Sequence, residues 1–264
     1  MSLKSSSDTA MLAELDKAIQ EEKPIVVTLW HPHWAYSRYD LKDLEDPKNA
    51  MGETEELHIA AREGFSDDYP DIAEALEDFT VDDETLQDLE DTIEESDGDA
   101  ADAVADWRED NEDFVEDSFG SIPDGSGELT IPYISWAEDV ALSNLLQQVL
   151  EDKGYDVKLN ELDAGVIFQS LADGSGDLFL DYWLPTTHKQ YKDKYGDQIE
   201  DLGVWYDSAT LDLTVPEYVD DVDSIADLKE HADEFDNVII GIDPGAGIMD
   251  QVKDHAIPEY NLDG

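Results

Sequence analysis

Apolar and polar positions alternate along this chain with two periods. Asp8 to Glu21 sets Met11, Leu12, Leu15, Ala18 and Ile19 on one helical stripe, with Asp8 as the expected cap and Pro24 as the stop. Ile25-Val-Val-Thr-Leu29 is a continuous β-branched run, the mark of a strand buried on both faces, and it ends at Trp30. A rigid aromatic loop, His31-Pro-His-Trp-Ala-Tyr-Ser-Arg-Tyr39, follows, then a turn region from Leu41 to Pro47. Thr54 to Gly64 reads as a helix stopped by its glycine. Between Tyr69 and Phe119 the apolar positions Ile72, Leu76, Phe79, Leu86, Leu89, Ile93, Ala103, Trp107 and Phe114 predict three short, very acidic helices.

Ser121-Ile-Pro-Asp-Gly-Ser-Gly127 has linker chemistry. After it come a strand, Leu129 to Ser135, ending at Trp136, and a helix, Glu138 to Lys153, closed by Gly154. Tyr155 to Leu162 alternates as a strand, and Gly165 to Ala172 is a short helix. Leu178-Phe-Leu180 opens a buried strand that delivers Trp183 and is stopped by Pro185. Lys189 to Tyr195 is a polar turn or helix, and Gly203 to Tyr206 and Leu211 to Val215 read as two strands. Ser224 caps a helix, Val238 to Ile242 is a strand, and Asp243-Pro-Gly-Ala-Gly-Ile248 is a glycine-rich turn before a last helix. Such alternation predicts an α/β fold with mostly parallel sheets. The break at Ser121 to Gly127 predicts two lobes, 1–120 with 213–264 and 121–212, joined by a hinge at that linker and at Leu213 to Pro216.

Composition sharpens the picture. Asp and Glu number 69 against 15 Lys and Arg, a formal charge of −54, which repels nucleic acid and anionic membrane surfaces. A disordered acidic chain is excluded by 41% apolar residues with six tryptophans and eleven tyrosines. The acid load fits a halophile's solvated surface, since at molar salt the Debye length of about 3 Å screens self-repulsion. The fold is therefore expected to loosen in dilute buffer. A circular dichroism signal that stayed flat down to low salt would contradict this. With no cysteine there is no disulfide, thiolate catalysis or cysteine-zinc site. No run of 18 apolar residues spans a membrane, so stable insertion of this chain is not expected. Met1 to Ser7 lacks a signal-peptide pattern, Met-Ser-Leu reads as an appended scar, and any leader or lipid anchor is expected outside this chain.

The strand ends carry the candidate chemistry. Three finish in tryptophan, Trp30, Trp136 and Trp183, and the fourth in a glycine turn whose Gly247 and Ile248 amides suit an anion. In open α/β sheets ligands bind at the carboxyl ends of strands. An indole cage selects best for a cation that cannot donate hydrogen bonds, each face contributing ~0.5–2 kcal/mol when desolvated. A carboxylate on the same ligand would meet Gly247, Ile248 and His188, whose imidazole is potentially cationic. The implied ligand is a small zwitterion with a trimethylammonium head, such as glycine betaine. The blander reading is that tryptophans at strand ends pack the core or rim, and Trp34, Trp107 and Trp205 are taken so. His31 and His33 read as loop scaffolding rather than metal ligands, and His58, His231 and His255 as surface. Acidic clusters such as Asp220-Asp221 lack the spacing of a calcium loop. No nucleophile–base pair emerges, so no catalytic residue, cofactor or metal is expected.

Four pieces, Gly241-Ile-Asp-Pro-Gly-Ala-Gly-Ile248, Val27-Thr-Leu-Trp-His-Pro-His-Trp34, Leu162-Asp-Ala-Gly-Val166 and Trp183-Leu-Pro-Thr-Thr-His188, resemble the substrate-binding subunits of glycine betaine ABC importers. Tyr133-Ile-Ser-Trp136 and Leu202-Gly-Val-Trp205 extend the likeness over nearly the whole chain. The resemblance implies a two-lobed, periplasmic-binding-protein-like fold of type II. It also implies a cage of Trp30, Trp136 and Trp183, with Trp34 the other candidate for the first position. The ligand carboxylate would be held by Gly247, Ile248 and His188. The implied function is capture of glycine betaine or a related quaternary ammonium solute outside the cytoplasm for an ABC permease, without catalysis. A betaine or choline sensor domain is the alternative, followed by an enzyme on a quaternary amine with His188 as base. In this family the piece ending here at Gly264 runs on into the piece that here begins at Ser5, so the chain looks circularly permuted or cut from a longer one. Gly264 and Ser5 are expected to be neighbours, with a short strand missing between Leu262 and Ser7 and a sheet edge left exposed.

Overall fold

The computed structural model describes residues 1–96 and 99–263. They form two compact units, Met1–Thr54 with Ala209–Gly264, and Glu55–Ser208. Nine strands run through the described residues: β1 Ser2–Lys4, β2 Val27–His31, β3 Leu41–Asp43, β4 Glu55–Arg62, β5 Glu128–Tyr133, β6 Asp156–Glu161, β7 Leu178–Leu184, β8 Ile199–Pro216 and β9 Val238–Ile240.

The expected boundaries move. Residues 55–120 belong with the second unit, the Ser121 to Gly127 stretch lies inside that unit, and the chain passes between units at Thr54–Glu55 and Ser208–Ala209. The cause is β4, which is a strand and not the expected helix. It pairs antiparallel with β7, Leu57 opposite Trp183 and Ala60 opposite Phe179, with a register shift between His58 and Ala60. Asp177 ties three strands together at the start of β7. Its carboxylate accepts Arg62 Nε (2.7 Å) and the Thr130 amide (2.7 Å), and its own amide donates to the Thr130 carbonyl (2.8 Å). Among the described residues between Tyr69 and Phe119 lie four acidic helices rather than three: Pro70–Glu77, Asp83–Glu95, Ala100–Asp110 and Glu112–Phe119. Their apolar stripes fold back within the same unit. Trp107 Nε1 donates to Asp88 (2.7 Å), and Arg108 joins Asp152 (2.5 Å) at the end of the helix Ala137–Asp152.

In the first unit β9 lies between β1 and β2, parallel to both, while β8 runs antiparallel to β2 and β3. In the second, β5 and β6 are parallel and β4 and β7 antiparallel. The sheets are thus mixed rather than mostly parallel, because the long β8 returns against its neighbours. The two strands expected around Gly203 and Val215 are one, with Gly203 inside it at a positive φ of 116°, which glycine adopts without strain. Leu41–Asp43, expected as a turn, is β3.

The strand expected to be missing is present. Ser2–Lys4 is β1 and covers the edge of β9. Gly264 is outside the described residues, and with it the expected approach to Ser5. The Met1 ammonium group donates to the Leu262 carbonyl. The first helix is Asp8–Gln20, capped by Ser7 and not Asp8, the Ser7 hydroxyl accepting the Ala10 amide at 3.2 Å. Met11, Leu15 and Ala18 are its buried stripe.

Candidate ligand-binding site

In the second unit β7 is buried along its whole length and leads into Pro185-Thr-Thr-His188. Two hydrogen bonds close this loop on the strand end: the His188 amide donates to the Trp183 carbonyl (3.1 Å), and the Trp183 amide donates to His188 Nδ1 (3.0 Å). The loop is also held from β4. Glu55, fully buried, accepts the Thr186 amide (2.8 Å), the Thr187 amide (2.9 Å) and the Thr187 hydroxyl (2.6 Å). Burial nevertheless raises its pKa above the ordinary carboxylate value. Nothing in the sequence singled out Glu55, because its partners are far along the chain and β4 was expected to be helical. Glu55→Ala leaves three donors without their acceptor and is expected to cost ~2–3 kcal/mol of stability. Glu55→Gln should cost less, since one oxygen still accepts. Denaturant unfolding checks this, and an alanine variant as stable as the parent would show the loop is held by other means.

Trp136 stands just after β5 at the start of the helix Ala137–Asp152. Its ring stacks on His188 with centroids 5.9 Å apart and planes 4° from parallel. Phe168, Phe179 and Tyr182 enclose the same imidazole, with centroids 5.1, 5.9 and 6.2 Å away. This apolar housing pushes the His188 pKa down to about 3. The expected cationic imidazole is therefore neutral. Because Nδ1 accepts a backbone amide, the proton resides on Nε2, which is buried and has no hydrogen-bond partner among the described residues. The site has a neutral N–H donor ready for an acceptor.

Trp183 is anchored by an acid. Asp181 and Trp183, two apart on β7, share a face, and the indole Nε1 donates to Asp181 Oδ1 at 2.6 Å. Asp181 is fully buried near the buried acids Glu138, Asp139 and Glu90. Burial first, then repulsion from those carboxylates, raises its pKa well above the ordinary carboxylate value. Burial likewise pushes Asp139 up to about 7, although it accepts the Ile134 amide (2.7 Å) and the Ser143 hydroxyl (2.9 Å). In the sequence alone Glu138 and Asp139 mark only an ordinary helix start.

In the first unit Trp30 lies near the carboxyl end of β2, next to the parallel β9, after which the chain turns into Gly247 and Ile248. Both of these residues are buried in the first turn of a helical stretch from Gly247, where backbone N–H groups lack intrahelical partners. Trp30 meets His33 edge-on at 4.8 Å. The Trp34 ring has the Arg38 guanidinium over it at 5.5 Å, so one of its faces already serves an internal cation. Trp136, Trp183 and His188 are thus brought together in the second unit, while Trp30, Gly247 and Ile248 belong to the first. Of the histidines taken as surface, His58 is buried, with Nδ1 2.9 Å from Asp201.

A profile of the family described as "Substrate binding domain of ABC-type glycine betaine transport system" matches residues 1–110 and 127–264. The chain is 34% identical over 230 residues to the glycine betaine/carnitine transport binding protein GbuC of Listeria monocytogenes, covering 86% of this chain and 76% of that protein. It is 31% identical over 116 residues to an uncharacterized protein, ORF1, of Chromohalobacter salexigens, covering 42% of this chain and 74% of that one. Among solved structures, lactococcal OpuAC in its closed form with glycine betaine aligns at 38% identity and a TM-score of 0.26, over 27% of this chain and 28% of that one. A substrate-binding domain of an amino acid transporter from Streptococcus pneumoniae aligns at 10% identity and a TM-score of 0.32, over 94% and 76%.

Proposed function

The chain belongs to the family of substrate-binding domains of ABC-type glycine betaine transport systems, and on that premise we propose that it captures glycine betaine through six residues. Trp30, Trp136 and Trp183 present indole faces to the trimethylammonium head. His188 Nε2–H and the Gly247 and Ile248 amides donate to the carboxylate. The observation that carries this is the neutral, buried and unpartnered Nε2–H of His188, stacked on Trp136 and locked to the backbone of Trp183. A donor held in an apolar, aromatic housing suits a carboxylate whose own counter-charge is a methylated ammonium that needs no donors or acceptors.

The liganded protein hands its cargo to a membrane permease and works outside the cytoplasm, by binding and release alone. Among the described residues no helix is long and apolar enough to cross a membrane. The low basicity of His188 speaks against the reading in which it is the base of an enzyme, because an imidazole with a pKa of about 3 draws protons poorly at neutral pH. A sensor role would use the same six residues.

Calorimetric titration in molar salt with glycine betaine, choline and ectoine tests the reading. Glycine betaine is expected to bind best. Choline keeps the head but lacks the carboxylate, and ectoine lacks the methylated ammonium, so both should be weaker. Binding of ectoine without binding of glycine betaine would overturn the assignment.

A further inference from the structure

A second cluster of chemistry lies in the first unit, outside the six residues. Strand side chains alternate between faces, so Thr210, Asp212 and Thr214 of β8 share one face. Antiparallel pairing sets His31 of β2 opposite Thr210 and Asp43 of β3 opposite Thr214. An imidazole and two carboxylates from three strands therefore land on a single sheet face. One ligating atom from each of His31, Asp43 and Asp212 lies within 4.8 Å of the other two.

Each of these groups is held in place. The His31 ring stacks on Tyr36, centroids 3.8 Å apart and planes at 20°. The Tyr36 hydroxyl (2.6 Å) and the Thr214 hydroxyl (2.7 Å) both donate to Asp43 Oδ1, while Asp43 Oδ2 faces His31 Nε2 at 2.8 Å. The Thr210 hydroxyl donates to Asp212 Oδ2 at 2.7 Å. Hydroxyls that bind one oxygen of a carboxylate and fix the other are the outer support that metal ligands commonly have.

We propose that His31, Asp43 and Asp212 form a binding site for a divalent transition-metal cation of the zinc or manganese class. One nitrogen and two carboxylate oxygens suit such ions, whereas magnesium and calcium favour all-oxygen shells. Metal–ligand bonds of about 2.0–2.2 Å place neighbouring donor atoms ~3 Å apart, so small side-chain rotations close the site. The His31–Asp43 hydrogen bond gives way to two bonds to the ion, and the remaining positions go to water. The ion would clamp β2, β3 and β8 together just beyond Trp30.

The test is calorimetric titration of the intact chain with Zn²⁺ in molar potassium nitrate, with Mg²⁺ as control for diffuse binding to the acidic surface. One saturable Zn²⁺ site is expected, with no saturable Mg²⁺ site. Asp212→Asn and His31→Asn should each weaken the Zn²⁺ site by about tenfold or more, with circular dichroism confirming the fold. Absence of a saturable site, or equal Zn²⁺ affinity in the parent and Asp212→Asn, would overturn the assignment. Asp212→Asn is nearly isosteric and decides the matter alone should His31→Asn fail to fold.

Discussion

Trp183→Ala is expected to weaken glycine betaine binding by about 1–3 kcal/mol, roughly 5- to 150-fold in affinity. The loss has two sources in the proposed mode. One is the quadrupole of an indole face against a methylated ammonium. The other is apolar area that the ligand no longer covers. The same substitution also removes a fully buried side chain, which typically costs ~3–5 kcal/mol of stability, and deprives Asp181 of the indole donor. Calorimetry therefore belongs in molar salt, where a destabilised acidic fold remains populated. Trp183→Phe separates the contributions: it keeps most of the volume and a π face but loses the Nε1–H bond to Asp181, so its affinity should lie between parent and alanine variant. Affinity unchanged in a folded Trp183→Ala protein would remove Trp183 from the site.

The second large effect concerns pH. Asp139, pushed up to about 7, and Asp181, raised well above its ordinary value, bind protons more tightly folded than unfolded. Each contributes stability that is fully present below the unfolded carboxylate pKa of about 3.9 and is lost as pH rises through its folded value. His188, pushed down to about 3, acts oppositely: it is neutral in the fold and costs stability as pH falls below about 6.5. From pH 8 to 6.5 the two acids act without opposition. Below about 6.5 the histidine opposes them, one group against two, and Asp212 and Glu55, also raised by burial, act on the side of the acids. Below about pH 4 the unfolded acids also protonate, and the histidine cost dominates. At fixed molar salt the denaturation midpoint is therefore expected to rise from pH 8 to about pH 5 and fall again below 4. A midpoint highest at pH 8 would mean that the buried acids are not held as their surroundings suggest.

How much of this was legible in the sequence depended on the range of the forces involved. The runs that became β2, β5, β7 and β9 announce themselves through local β-branched and apolar composition, and the helix Ala137–Asp152 through its period and Gly154. Strand β4 does not. Leu57, Ala60 and Ala61 fit a helical stripe, and the register shift between His58 and Ala60 breaks the alternation that would have marked a strand. Pairing with β7 overrides the local propensity. That one strand also moves residues 55–120 into the other unit and displaces the expected hinge. β1 is too short to carry a period, and only its pairing with β9 reveals it. The six candidate residues were found from strand-end chemistry and from motifs. Glu55 and the charge state of His188 were not, since one depends on partners over 130 positions away and the other on the rings around it.

The neutrality of His188 has a consequence for binding in concentrated salt. Formal ion pairs at a protein surface lose strength as the ionic atmosphere contracts, because mobile ions compete for both partners. In the proposed binding mode an imidazole N–H, backbone amides and π faces offer a zwitterion only fixed dipoles and quadrupoles, which neither recruit counter-ions nor shed them on capture. Grip of that kind is expected to keep its strength as the concentration of the surrounding electrolyte changes.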